Sequence, residues 1–101
     1  MGQGTGSYQM KTNQGRFEIL GGATAVIQDR EGTYGSPNEN YDRVAGMMNV
    51  ILKDKLKHDI SPADAVMVMC GVKMARLTNS PDHKDSQVDL AAYAAILSEV
   101  A

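Results

Sequence analysis

Residues 36–57 read SPNENYDRVAGMMNVILKDKLK. The stretch opens with helix-start chemistry. Ser36 is suited to accept a backbone hydrogen bond as an N-cap, Pro37 fits the first helical position where no donor is needed, and Glu39 reaches back to complete a capping box. Behind the cap, Tyr41, Val44, Ala45, Met48, Ile51, Leu52 and Leu56 recur at three- and four-residue steps, the stripe of an amphipathic helix running to about Lys57.

The rest of the chain repeats this logic in both directions. Upstream, Ile19, Leu20, Ala23, Val26 and Ile27 mark a helix from Phe17 to about Arg30, weakened by Gly21 and Gly22. Tyr34-Gly35 then reads as a hinge turn with Gly35 at positive φ. Downstream, Ser61-Pro62-Ala63-Asp64 restates the cap with Asp in place of Glu, and the following AVMVMCGVKMARL (65–77) is apolar on nearly every side until Lys73 and Arg76. That pattern predicts a central helix covered by the others. The linker TNSPDHKD (78–85) leads to a fourth helix at about 86–100, with Val88, Ala91, Ala92 and Ala95 on one face and Leu90, Ala94 and Leu97 on another. Four helices with short connections predict an all-α fold, a small four-helix bundle.

Composition bounds the function. With 101 residues the chain is one domain: residues 1–16, rich in Gly, Gln, Thr and Asn, read as a flexible N-terminal arm and 17–101 as a single helical domain. A net charge of -2 argues against a basic surface for direct nucleic-acid binding. The single cysteine, Cys70, excludes an intramolecular disulfide and reads as a small buried hydrophobe. No run approaches the roughly 18 apolar residues of a membrane span, and no signal-peptide core is present, so a soluble cytoplasmic protein is expected. The apolar third helix and the frequent methionines predict a homo-oligomer, most simply a dimer.

Two helical faces carry polar groups where a plain core has none. Asp85, Asp89 and Tyr93 follow at four-residue steps on the fourth helix, and Lys73 and Arg76 lie near the end of the third. An antiparallel hairpin brings these together, Arg76 being placed to pair with Asp85 or Asp89. The cluster has two readings, interhelical salt bridges or a magnesium site at Asp85 and Asp89 with Arg and Lys on phosphate. His58 reads as a carbonyl cap and His83 as a linker residue near the cluster. Neither has zinc-ligand spacing.

Beyond the capping residues, Asp29-Arg30, Tyr34-Gly35-Ser36-Pro37, Asn40 with Arg43, Ser61-Pro62-Ala63-Asp64, Lys73 with Arg76, and Asp85 to Asp89 with Tyr93 together resemble a small uncharacterised domain family of phages and prophages, over about residues 18–100. Tyr41, Met47-Met48 and Ala92 depart from that family's usual residues. A more distant likeness is to MazG-like NTP pyrophosphohydrolases, whose resemblance implies an oligomeric helical bundle with acidic faces holding magnesium; their paired-glutamate motif is missing here.

The resulting expectation is a polar pocket with Asp29, Arg30, Tyr34, Asn40 and Arg43 on one wall and Lys73, Arg76, Asp85, Asp89 and Tyr93 on the other. It would bind or process a nucleotide or related phosphometabolite, with Mg-dependent pyrophosphohydrolase-like chemistry as the enzymatic form. The alternative is a non-enzymatic phage anti-defence protein that inhibits a host defence complex or sequesters its nucleotide signal, with a bacterial host protein as partner.

Overall fold

The structure, a computed structural model, describes residues 14–101. It contains α1 (Gly15–Tyr34), α2 (Pro37–Ile51), a single 3-10 turn (Lys53–Lys55), α3 (Pro62–Asn79) and α4 (Lys84–Val100). No strand occurs among the described residues. The all-α, four-helix reading is borne out. Of the N-terminal arm expected over 1–16, residues 1–13 lie outside the described residues, and α1 begins two residues before Phe17.

Both predicted capping boxes form. The Ser36 hydroxyl accepts from the Glu39 backbone N–H and Glu39 Oε1 accepts from Ser36, while Ser61 and Asp64 repeat the exchange at α3. Gly35 has φ +83°, the left-handed conformation expected of the hinge, and its N–H closes α1 onto the Glu31 carbonyl.

α2 ends earlier than its stripe predicts, at Ile51 rather than near Lys57. The cause is a side chain that captures the returning backbone. Asn49 Nδ2 donates to the Ile60 carbonyl at 3.0 Å and Asn49 Oδ1 accepts from the Ile60 N–H at 2.6 Å, so the chain must turn back beside α2 before α3 starts. Asn49→Ala should therefore leave a half-buried backbone donor and acceptor unpaired, at a cost of about 1–3 kcal/mol. Thermal denaturation followed by circular dichroism should show a fall of several degrees, roughly 4–8 °C per kcal/mol in a domain of this size. A melting temperature within about a degree of wild type would show that the clamp is dispensable.

The arrangement departs from expectation in which helix is central. α4 and α2 each touch all three of the others, α4 the more extensively, whereas α1 and α3 do not meet. α3 and α4 form the predicted antiparallel hairpin, with Lys73 Nζ 2.9 Å from Asp89 Oδ2. α1 runs parallel to α4: Glu18 meets Lys84 near the start, Gly22 lies against Val88 and Arg30 reaches Tyr93. A Cβ on Gly22 would sit 3.1 Å from Val88 Cγ2, so this glycine sets the α1–α4 spacing. α2 returns antiparallel to α3 and therefore shares the direction of α4 and α1. Two helices of the same sense joined by two residues follow one another along the hairpin, and the bundle is drawn out to 57 × 29 × 19 Å.

Tyr41, Ala45, Ala65, Val66, Tyr93 and Ile96 form the core, closed by partly buried Ile27, Val44, Met48, Met69 and Leu97. Because α4 rather than α3 is enclosed, one face of α3 is left open: Met67, Val68, Val72 and Met74 are exposed. The physical reason is that α4 carries apolar residues on two faces with small side chains between them, which lets helices approach from both sides, while α3 packs only against α2 and α4 and turns Met67, Val68, Gly71, Val72, Met74 and Ala75 outward.

Candidate functional site

Where α1 ends and α2 begins, both helices pass over the middle of α4 and leave a cleft of about 540 Å³. Its walls hold Asp29, Arg30 and Tyr34 from α1, Asn40 and Tyr41 from α2, and Asp89 and Tyr93 from α4, with Val26, Val44 and Met69 as the apolar lining. The hinge at Gly35 is what places the two ends of this constellation in one space. A helix continuing straight through residue 35 would carry Asn40 away from Asp29 and Arg30.

Arg30 is the electrostatic centre. Its Nη1 donates to the Tyr93 hydroxyl at 3.3 Å, and its guanidinium lies over the Tyr93 ring with 5.2 Å from Cζ to the centroid. Burial opposes its charge, but the Tyr93 hydroxyl, Tyr41 and Asp89 outweigh that effect and raise its pKa further. Among the described residues no carboxylate lies within ion-pair distance of it. Its one hydrogen-bond partner among the described residues is a neutral hydroxyl, so the half-buried guanidinium has donors left over that an anion in the cleft could meet. Tyr41, nearly fully buried below it, has its phenol pushed up to about 12, chiefly by burial and next by the neighbouring Tyr93.

The other predicted residues divide into those the fold brings to the cleft and those it does not. Asp29 is exposed at the rim and makes no hydrogen bond or ion pair among the described residues, and the side-chain amide of half-buried Asn40 is equally unpartnered. Tyr34 is 53% exposed, its ring forming an open edge of the cleft. Asp89 faces the cleft while held by Lys73, so Lys73 stands behind the wall as its counter-charge. Arg43 is not a lining residue. Its Nη2 donates to the Tyr34 carbonyl, which caps the end of α1 and fixes the hinge.

Arg76 and Asp85 lie elsewhere. Arg76 makes no ion pair with Asp85 or Asp89, the partner of Asp89 being Lys73, and it lines a shallow groove of about 430 Å³ with Asn79, Ser80 and His83 at the α3–α4 turn. Asp85 is exposed in the first turn of α4, where its charge suits the helix N-terminus. His83 is the N-cap of α4, its Nδ1 accepting from the Ser86 N–H at 3.3 Å and lying 2.8 Å from the buried Ser86 hydroxyl. No group of three or more His, Cys, Asp or Glu side chains that could hold a metal occurs among the described residues.

The sequence reading missed Tyr41, Val44, Met69 and Val26 as lining residues because each also belongs to an apolar helical stripe. Tyr41 alone carried a signal, as a polar-tipped ring in an otherwise aliphatic stripe.

Comparison with known proteins bears on the constellation as a whole. A family described as "Domain of unknown function (DUF6378)" matches residues 18–101. The chain belongs to this family. The match takes in every helix of the bundle apart from the first residues of α1, and with them every residue of the cleft. The chain is 32% identical over 85 residues to the Gene 55 protein of Mycobacterium phage L5, covering 83% of this chain and 53% of that protein. It is 31% identical over 83 residues to the Gene 55 protein of Mycobacterium phage D29, covering 81% of this chain and 52% of the relative. The chain thus spans about half the length of these relatives, whose names state no activity. No solved structure matches this chain. The resemblance to an uncharacterised phage family is borne out. No helix of the described residues is long and apolar enough to cross a membrane.

Proposed function

We propose that the cleft binds a nucleotide or a related phosphometabolite. The observation that carries this reading is Arg30: a half-buried cation stacked on Tyr93, in a cleft whose rim carries an open aromatic ring and an amide, neither Arg30 nor that amide having an ion-pair or carboxylate partner among the described residues. Arg30 meets the phosphate, Tyr34 stacks on the base and the Asn40 amide reads a polar edge. The cleft is roomy enough for such a ligand, since small-molecule sites are commonly about 300–1,000 Å³.

Magnesium enters this reading with the ligand. Mg²⁺ typically keeps several waters and takes one or two protein carboxylates together with substrate phosphates. Of the pair expected from sequence, Asp89 lines the cleft and Asp85 does not, so Asp29 and Asp89 are the two carboxylates that would share such an ion. MazG-like pyrophosphohydrolysis is the enzymatic extension. It would make the protein a cytoplasmic nucleotide-processing enzyme of the infected or lysogenic bacterial host.

The alternative is a non-enzymatic anti-defence role, in which the same cleft sequesters a nucleotide signal or the protein inhibits a host defence complex. A thermal-shift panel of nucleotides, each with and without magnesium, tests the shared premise. One class should raise the melting temperature by several degrees, and chromatography of the same mixtures then separates turnover from sequestration. No shift across the panel at millimolar ligand would remove the nucleotide reading and leave the host-protein reading.

A further inference from the structure

The exposed face of α3 is the largest feature of the molecule that the cleft does not use. Met67 is 51% exposed, Val68 48%, Val72 40% and Met74 57%, and between them lie Gly71 and Ala75, also exposed. The six residues carry no charge. A Cβ built on Gly71 meets nothing within 4 Å, so the glycine is not there to admit a neighbour from its own chain. Lys73, the one charge in this part of the helix, points the other way to Asp89.

We propose that this face is the interface of a two-fold homodimer in which α3 crosses α3 of a second copy at Gly71. The pattern is self-complementary about that residue. In an antiparallel crossing centred on Gly71, Met67 of one copy falls opposite Ala75 of the other and Val68 opposite Met74, so large side chains meet small or β-branched ones. The glycine at the centre lets the backbones approach. An isologous contact requires this property, the same patch complementing itself. α2, which packs against α3, also exposes Met47, Val50 and Ile51. The exposed side chains named on these two helices are apolar, and a standard specific interface takes ~800 Å² per partner. Contiguous exposed apolar surface beyond a few hundred Å² is uncommon on a monomer. The cleft stays open in this dimer, because Met69, the α3 residue that enters it, lies on the opposite side of the helix from Gly71. The interface is therefore independent of what the cleft binds.

Light scattering coupled to size-exclusion chromatography at 1–100 µM, about the range over which a specific dimer assembles, should give twice the 10.9 kDa chain mass. Gly71→Arg should convert the protein to monomer with its helical circular dichroism intact. Gly21→Arg makes the same change at an open glycine of α1 and should leave the dimer unaffected. Met67→Glu, which spares Gly71, should also dissociate it, so loss of fold in one variant does not decide the outcome. A wild-type monomer across the range overturns the proposal. So does a dimer that survives both α3 substitutions, or one that Gly21→Arg dissociates equally.

Discussion

Replacing Arg30 by Ala should weaken binding of the most stabilising nucleotide by roughly 10–100-fold, the loss expected for one charge-assisted contact of about 1.5–3 kcal/mol. The fold should hardly change. Arg30 is half-buried, its partners are a neutral hydroxyl and a ring face, and its removal orphans no buried charge. The Tyr93 hydroxyl it leaves behind opens onto the cleft, where water can reach it. Stability should therefore move by no more than about 1.5 kcal/mol, the net worth of a typical hydrogen bond. Arg30→Lys should fall between, because an ammonium keeps the charge but loses the planar fork and the stacking on Tyr93. Isothermal titration of the three proteins, with a thermal melt of each, checks both halves. Unchanged affinity in Arg30→Ala would remove the residue from the site, and a collapse of its melting temperature would recast the Arg30–Tyr93 contact as structural.

Much of this constellation was legible in the sequence, for a local reason. Asp29, Arg30, Tyr34, Asn40 and Arg43 surround a turn whose capping box already accounts for Ser36, Pro37 and Glu39; the first four line the cleft, while Arg43 holds the Tyr34 carbonyl instead. The caps and the Gly35 hinge are short-range features set by a few adjacent residues, and they formed as read. The arrangement of helices was not legible in that way. Which helix is enclosed depends on how closely neighbours approach, and that rests on contacts such as Gly22 against Val88, sixty-six residues apart in the chain. Periodicity showed α3 to be apolar all round but could not tell a covered helix from one with an open face.

The same limit explains the misplacement of Arg76. Its spacing from Lys73 suggested that both would reach the α4 carboxylates, yet an antiparallel hairpin brings only selected positions into register. Lys73 takes Asp89, while Arg76, nearer the turn, is left beside Asn79, Ser80 and His83. Similarly, Asn49 gave no sign in sequence of clamping Ile60, because its partner is a backbone segment placed by the loop that follows.

The largest stability effect should come from Tyr93, which serves core and cleft at once. Its side chain is 4% exposed and packs in the cluster of Tyr41, Val66 and Ile96, while its hydroxyl and one ring face hold Arg30. Tyr93→Ala removes a buried ring from the helix that all others contact, and aromatic-to-alanine changes in cores cost about 3–5 kcal/mol. That is a large share of the roughly 5–15 kcal/mol that holds a small domain folded. Tyr93→Phe keeps the ring and loses only the hydroxyl. It should cost no more than about 1.5 kcal/mol, the net worth of a typical hydrogen bond. Urea denaturation of both variants separates the two contributions. If Tyr93→Ala were as stable as Tyr93→Phe, the ring would not be a core element and the placement of α4 at the centre would be wrong. Binding completes the argument: in the still-folded Phe variant Arg30 keeps its stacking but loses its hydrogen-bond anchor, so affinity should fall by no more than about tenfold, the equivalent of about 1.4 kcal/mol. A loss as deep as that of Arg30→Ala would mean that the hydroxyl itself touches the ligand and that Arg30 is held in place for it rather than the reverse.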